Sequence, residues 1–261
     1  MIAPPDNTLS RWAWDYVTST DLAHKLAPPP TPRAFEDDAP VRRIERPGRP
    51  AELVANDRRF KTPRPGALKV PERRAELLHT FLHHELQAAE LMCWAILAFP
   101  DTPRAFKVGL AAIARDEVRH MALYREAIES YGQRVGGFPV NDWFWERVPR
   151  ATSAASFVAT LGIGFEGANL DHALRFAEHF RNVGDERGAA IQEQVHFGAA
   201  RGSPEPGRGR RTGEARRSYM ACKLDLRHLI CNANQRRSGF RPSGRSMRLR
   251  FRRLQRHATV P

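Results

Sequence analysis

From residue 71 onward, apolar positions recur at steps of three and four. Leu78, Phe81, Glu85, Ala88, Met92, Ala95 and Phe99 form the first stripe, the pattern of one face of an α-helix. Pro71 suits the first helical position, where a missing N–H costs nothing, and the run stops at Pro100. Thr102 followed by Pro103 starts a second helix, with Phe106, Leu110, Ile113, Glu117, His120, Tyr124 and Ile128 on one face and Gly132 closing it. A loop over 132–149 carries Trp143, Phe144 and Trp145, of which the two tryptophans read as core plugs. Ser153 caps a third helix to Val183, with Glu166, Leu170, Ala173, Ala177 and Phe180 on one face. Gly184 and Asp185 read as a stop and a new N-cap, and a fourth helix with Ile191 and Val195 runs on until Gly202 and Pro204 break it. Four antiparallel helices with short connections and no strand signal predict an all-α bundle over residues 71–200.

The N-terminal stretch is different in kind. Twelve of the 20 prolines lie in residues 1–71, which fixes φ and removes backbone donors too often for regular structure. One short helix from Leu9 to Leu26 is expected, with Trp12, Tyr16 and Leu22 on one face. The rest of residues 1–70 reads as an extended arm laid over the core.

Charge separates the other end. The chain of 261 residues carries 42 Lys and Arg against 29 Asp and Glu, a formal +13. Residues 1–200 hold 25 basic and 26 acidic residues, whereas residues 201–261 hold 17 and 3. The sequence pI of about 10.7 therefore describes a tail, and a uniformly basic nucleic-acid-binding body is excluded. That tail has no sustained apolar period, so disorder is expected over 201–261, with nonspecific polyanion binding as its one consequence for partners. No apolar run approaches the ~20 residues of a membrane span, and the N-terminus lacks the pattern of a secretory signal. Three cysteines, Cys93, Cys222 and Cys231, argue against a disulfide scaffold. The expected location is the cytoplasm.

The chemistry sits in the stripes. Glu85, Glu117, His120 and Glu166 fall at apolar positions, and buried carboxylates are normally paired or metal-bound. Glu117 and His120 form an E-x-x-H step, which with one Glu from a neighbouring helix makes half of a carboxylate-bridged two-metal site. Glu85 lies 13 residues before the end of the first helix and Glu117 lies 15 after Thr102. At about 1.5 Å per residue both sit roughly 20 Å from the turn, facing each other. Oxygen and imidazole donors suit iron or manganese better than soft-ligand metals. Glu193 and His196 supply the letters of a second E-x-x-H, but their level misses Glu166 by about 14 Å. A repeat of the first half's spacing places a ligand near residue 198, where the chain reads Gly198-Ala199-Ala200.

His83 and His84 precede Glu85; a second-shell role for His84 is open, a helix-surface position the simpler reading. Asp171 and His172 could brace Glu166 or pair at the surface. Gly162, Gly164 and Gly167 around Glu166 suggest close packing, a local widening of the helix, or a bend.

The stretches LLHTFLHHELQAAELMCWAILAFPDTP, IARDEVRHMALYREA and FPVNDWFWERVP, followed by GFEGANLDHALRFAEHF, resemble an uncharacterised bacterial ferritin-like family, the domain of unknown function 455. STDLAHKLAPPP and KTPRPGAL resemble its leader, so the likeness runs over roughly residues 8–195. The resemblance implies a ferritin-like di-metal bundle, distantly similar to the tRNA hydroxylase branch of that superfamily. It also implies Glu85, Glu117, His120 and Glu166 as ligands, with Glu117 and Glu166 bridging and Glu85 and His120 terminal. After Val195 the likeness ends in HFGAARGSPEPGRGRR, where the charge also jumps. This predicts a reading-frame change near His196 that replaces the end of the fourth helix.

The expectation is thus a ferritin-like di-iron (or Fe/Mn) protein, an oxidoreductase of unknown substrate using dioxygen or peroxide. Its metal site would be incomplete and poorly occupied. A non-catalytic scaffold or iron-handling protein is the alternative. No membrane partner is expected, and a homodimer is left open.

Overall fold

The computed structural model describes residues 1–55, 63–161 and 166–196, and for 166–173 and His196 it describes the backbone alone. Among these residues the chain forms seven α-helices and no strand. The expected tail, Gly162, Gly164, and the side chains of Glu166, Asp171, His172 and His196 lie outside the description.

The single helix expected from Leu9 to Leu26 is two, α1 (Leu9–Thr18) and α2 (Leu22–Leu26). Side chains that bond their own backbone explain the break. The Thr18 hydroxyl donates back to the Trp14 carbonyl, Ser19 is extended, and the Asp21 carboxylate accepts from the Ala23 N–H to cap α2. α1 buries Trp12, Ala13, Tyr16 and Val17 and packs on the long helix Pro71–Ala98. The arm beyond α2 is fastened by its backbone: the Arg42 N–H donates to the Leu97 carbonyl and the Gly48 N–H to Val17. A Cβ at residue 48 would stand 2.1 Å from the Thr18 oxygen, so only glycine permits that approach.

α3 (Pro71–Ala98) begins at Pro71 and ends before Pro100, as the pattern requires. From Leu86 to Ala98 every residue is buried. Such all-round burial is the behaviour of a helix at the centre of its domain. α4 (Arg104–Ser130) starts after Pro103, not at a Thr102 cap. The Thr102 hydroxyl instead donates to the Phe99 carbonyl at 2.7 Å and closes the turn. Gly132, at φ +75°, ends α4. α3 and α4 pack side by side, and the pairs Phe81–Tyr124 and Glu85–His120 set them antiparallel.

In the following loop Trp145 is buried, as a core plug should be, but Trp143 is 40% exposed. The third expected helix appears as α5 (Ala154–Val158) and α6 (Glu166–Arg181). Ser153 caps α5 in a reciprocal box with Ser156, and the coil widens to a π-type turn at 159–161. Gly184, at φ +77°, stops the chain after α6. The Asp185 carboxylate then accepts from the Gly188 N–H to open α7 (Glu186–His196). α6 and α7 pack together, and α7 reaches α4. Among the described residues no helix is long and apolar enough to cross a membrane.

Candidate metal centre

α3 and α4 bring Glu85, Glu117 and His120 together. The His120 Nδ1 stands 2.9 Å from a Glu117 oxygen and 4.0 Å from a Glu85 oxygen. One ligand atom from each residue lies within 4.8 Å of the others. Helix geometry accounts for the arrangement: Glu117 and His120 are one turn apart on one face of α4, and Glu85 is level with them across the hairpin. Glu117 and His120 are buried and Glu85 is half-buried.

Three lone-pair donors of mixed oxygen and nitrogen type therefore converge in an apolar setting. A metal ion with bonds near 2.1 Å holds neighbouring ligand atoms about 3 Å apart. His120 and Glu117 already meet that spacing, and Glu85 needs to close by about 1–2 Å. The other imidazole nitrogen of His120, Nε2, is buried and bonded to nothing among the described residues. Once Nδ1 binds a cation, Nε2 carries the ring proton. The donor set fits iron or manganese.

The walls are aromatic. One turn along the hairpin, the Phe81 and Tyr124 rings lie 5.9 Å apart, and Phe176 of α6 meets Phe81 edge-on at 4.9 Å. His84 is not on an open helix surface. It packs on Phe144 at 5.1 Å, and burial brings its imidazole down to about 4. His83 is buried too, with Nε2 3.3 Å from Asp142.

The remaining expected ligands are placed differently. Glu166 is the first residue of α6, with its side chain outside the description. Glu193 does not join the cluster. Its carboxylate accepts from the Arg181 guanidinium at 2.6 Å on the outer side of the α6–α7 pair, in keeping with its level mismatch. His196 ends α7, and its side chain is likewise outside the description.

A second buried carboxylate escaped the sequence reading. Glu90, five residues after Glu85, is wholly buried. It accepts from Lys25 at 2.8 Å, from Arg49, and from the Trp145 indole at 2.9 Å. Arg49 also binds Asp142 at 2.8 Å, so the arm, α3 and the 132–149 loop meet in one ion network. Glu90 falls off the α3 stripe. The available signal was the near-continuous apolar run of residues 86–99, which marks a helix buried on every side.

The profile of the family described as Protein of unknown function (DUF455) matches residues 8–197, and the chain belongs to that family. No curated protein and no solved structure matches it.

Proposed function

We propose that this chain is a ferritin-like, carboxylate-ligated iron (or iron/manganese) protein of an oxidoreductase lineage. In this reading Glu85, Glu117 and His120 hold one ion, and the second half of a two-metal site, begun by Glu166, is left incomplete. The observation that carries it is the convergence of two carboxylates and an imidazole, two of the three buried, from facing positions of two packed helices. Bound iron or manganese would supply electron transfer to dioxygen or peroxide for a substrate not yet identified. The residues do the rest. Glu85 and Glu117 would neutralise the cation, and His120 would contribute a neutral lone pair from Nδ1, with its one ring proton on Nε2. Phe81 and Tyr124 keep water from the donors on one side, which strengthens their electrostatic grip.

The test is anaerobic titration of the purified full chain with Fe(II) or Mn(II), followed by metal analysis. A single ion per chain, lost in Glu117→Ala and in His120→Ala, is expected. No binding overturns the reading, and two tightly held ions overturn the incompleteness of the second half. The engagement of Glu193 by Arg181 favours a second reading, in which the bundle handles iron without turnover. Oxygen consumption by the iron-loaded chain, supplied with a candidate substrate and a chemical reductant, separates the two: substrate-dependent uptake beyond that of the reductant alone supports the oxidoreductase.

A further inference from the structure

A pocket of about 250 Å³ lies between α4 and the chain that leaves the end of α2. Ala27 and the prolines 28–30 line one side, and Arg115, Val118 and Arg119 of α4 line the other. The proline side is fixed in place. The Trp12 indole donates to the Pro29 carbonyl at 2.8 Å, and the Ala27 N–H donates to the Ala23 carbonyl. Proline has no N–H, so this wall offers an apolar face and no donors. On α4 the two exposed guanidiniums stand one turn apart, a like-charge spacing that weakens a helix. Arg119 pairs with Asp116, whereas Arg115 has no carboxylate partner among the described residues. At about 100° per residue, Arg115, Val118 and Arg119 are centred on the side of α4 opposite Glu117 and His120.

We propose that this pocket binds a small organic phosphate monoester, its phosphate on Arg115 and Arg119 and an apolar ring against the proline wall. The proposal stands independently of the metal-binding reading. A phosphate monoester carries close to two negative charges and three acceptor oxygens. Two guanidinium forks one turn apart engage separate oxygens of one such group, and its charge relieves their mutual repulsion. Arg115 is the stronger anchor, because Arg119 already shares its charge with Asp116. The chain's own tail is a poor source of the anion, with 17 basic against 3 acidic residues over 201–261. The volume of about 250 Å³ falls just below the ~300–1,000 Å³ of pockets for drug-sized ligands. That size suits one ring and one charged group.

The experiment is calorimetric titration of the full chain, kept metal-free with a chelator, using phenyl phosphate as the probe. One equivalent should bind with a Kd of about 1 mM, as expected for a ligand of so few atoms. Arg115→Gln should weaken binding about fivefold, and Arg119→Gln by less. Ala27→Phe, which fills the pocket from the proline side, should abolish it. Inorganic phosphate should bind more weakly than phenyl phosphate, and benzyl alcohol, a ring without the charge, should not bind. If the wild type and all three variants bind phenyl phosphate alike, the anion sits on the basic tail and the proposal is overturned. Absence of binding to the wild type overturns it directly. Inorganic phosphate bound as tightly as phenyl phosphate removes the role of the apolar wall and overturns the assignment of a monoester. Should one variant lose its helical circular dichroism, the other two carry the same comparison.

Discussion

Glu90 and the Glu85–Glu117–His120 group lie within two turns of each other, yet different kinds of residue converge at the two places. Around Glu90 the neighbours donate: Lys25, Arg49 and the Trp145 indole direct N–H groups at its two oxygens. The two chain cations also serve Asp142 and the α1 carbonyls, so the network is closed by the protein itself. In the other group the three residues that converge are two carboxylates and an imidazole, all able to offer lone pairs. The contrast teaches that a buried acid can be matched in two ways. One uses cations supplied by the chain and fixes structure; the other, in the function proposed above, would use a cation taken from solution. Only the second would make folding and metal content interdependent.

The sharpest way to break this comparison is to remove one acid from each group. Glu90→Gln leaves Lys25 and Arg49 buried without their shared charge, which should cost about 3–5 kcal/mol in denaturant unfolding. Glu117→Gln in metal-free protein should cost far less, and equal losses would erase the distinction. Metal should then act on one group alone. Fe(II) at a hundred times its Kd should raise stability by about 2.7 kcal/mol, and the gain should vanish in Glu117→Gln. A third buried polar group on α3 adds a pH signature. His79 is fully buried, its Nε2 accepts from the Gly136 N–H, and burial brings its imidazole down to about 4. The unfolded chain therefore binds a proton that the folded chain refuses between pH 6.5 and 4. Stability should fall by roughly 1–3 kcal/mol as the pH drops through that window, with a flatter slope in His79→Gln. Ser153→Ala should remove the α5 cap at a cost of about 1 kcal/mol. Smallest of all, Glu193→Ala breaks a half-exposed ion pair. It should change stability by less than about 1 kcal/mol and leave metal content unaltered; a loss of bound metal would restore Glu193 as a ligand.

Residues whose role is local were readable from the chain. Pro71 and Pro100 bracket α3, Gly132 and Gly184 end their helices at positive φ, and Ser153 forms its box, because each acts on backbone a few residues away. The level of Glu85 against Glu117 was readable too, since α3 and α4 are joined by a short turn and rise per residue alone decides the match. What could not be read depends on distant partners. Nothing near residue 90 announces that Lys25 and Arg49 will meet it. Thr102 lost its expected capping role to a turn that its hydroxyl closes on Phe99, a choice between two bonds of similar strength.

The ion network also orders events during translation. Lys25 leaves the ribosome 65 residues ahead of Glu90, and Arg49 leaves 41 ahead. At about 5–20 residues per second, Lys25 waits roughly 3–13 seconds for its counter-charge. Until then its ammonium stays in water, because burying it alone would be too costly. The proline-rich arm is therefore held in reserve on the nascent chain, and the emergence of α3 is the moment at which it commits.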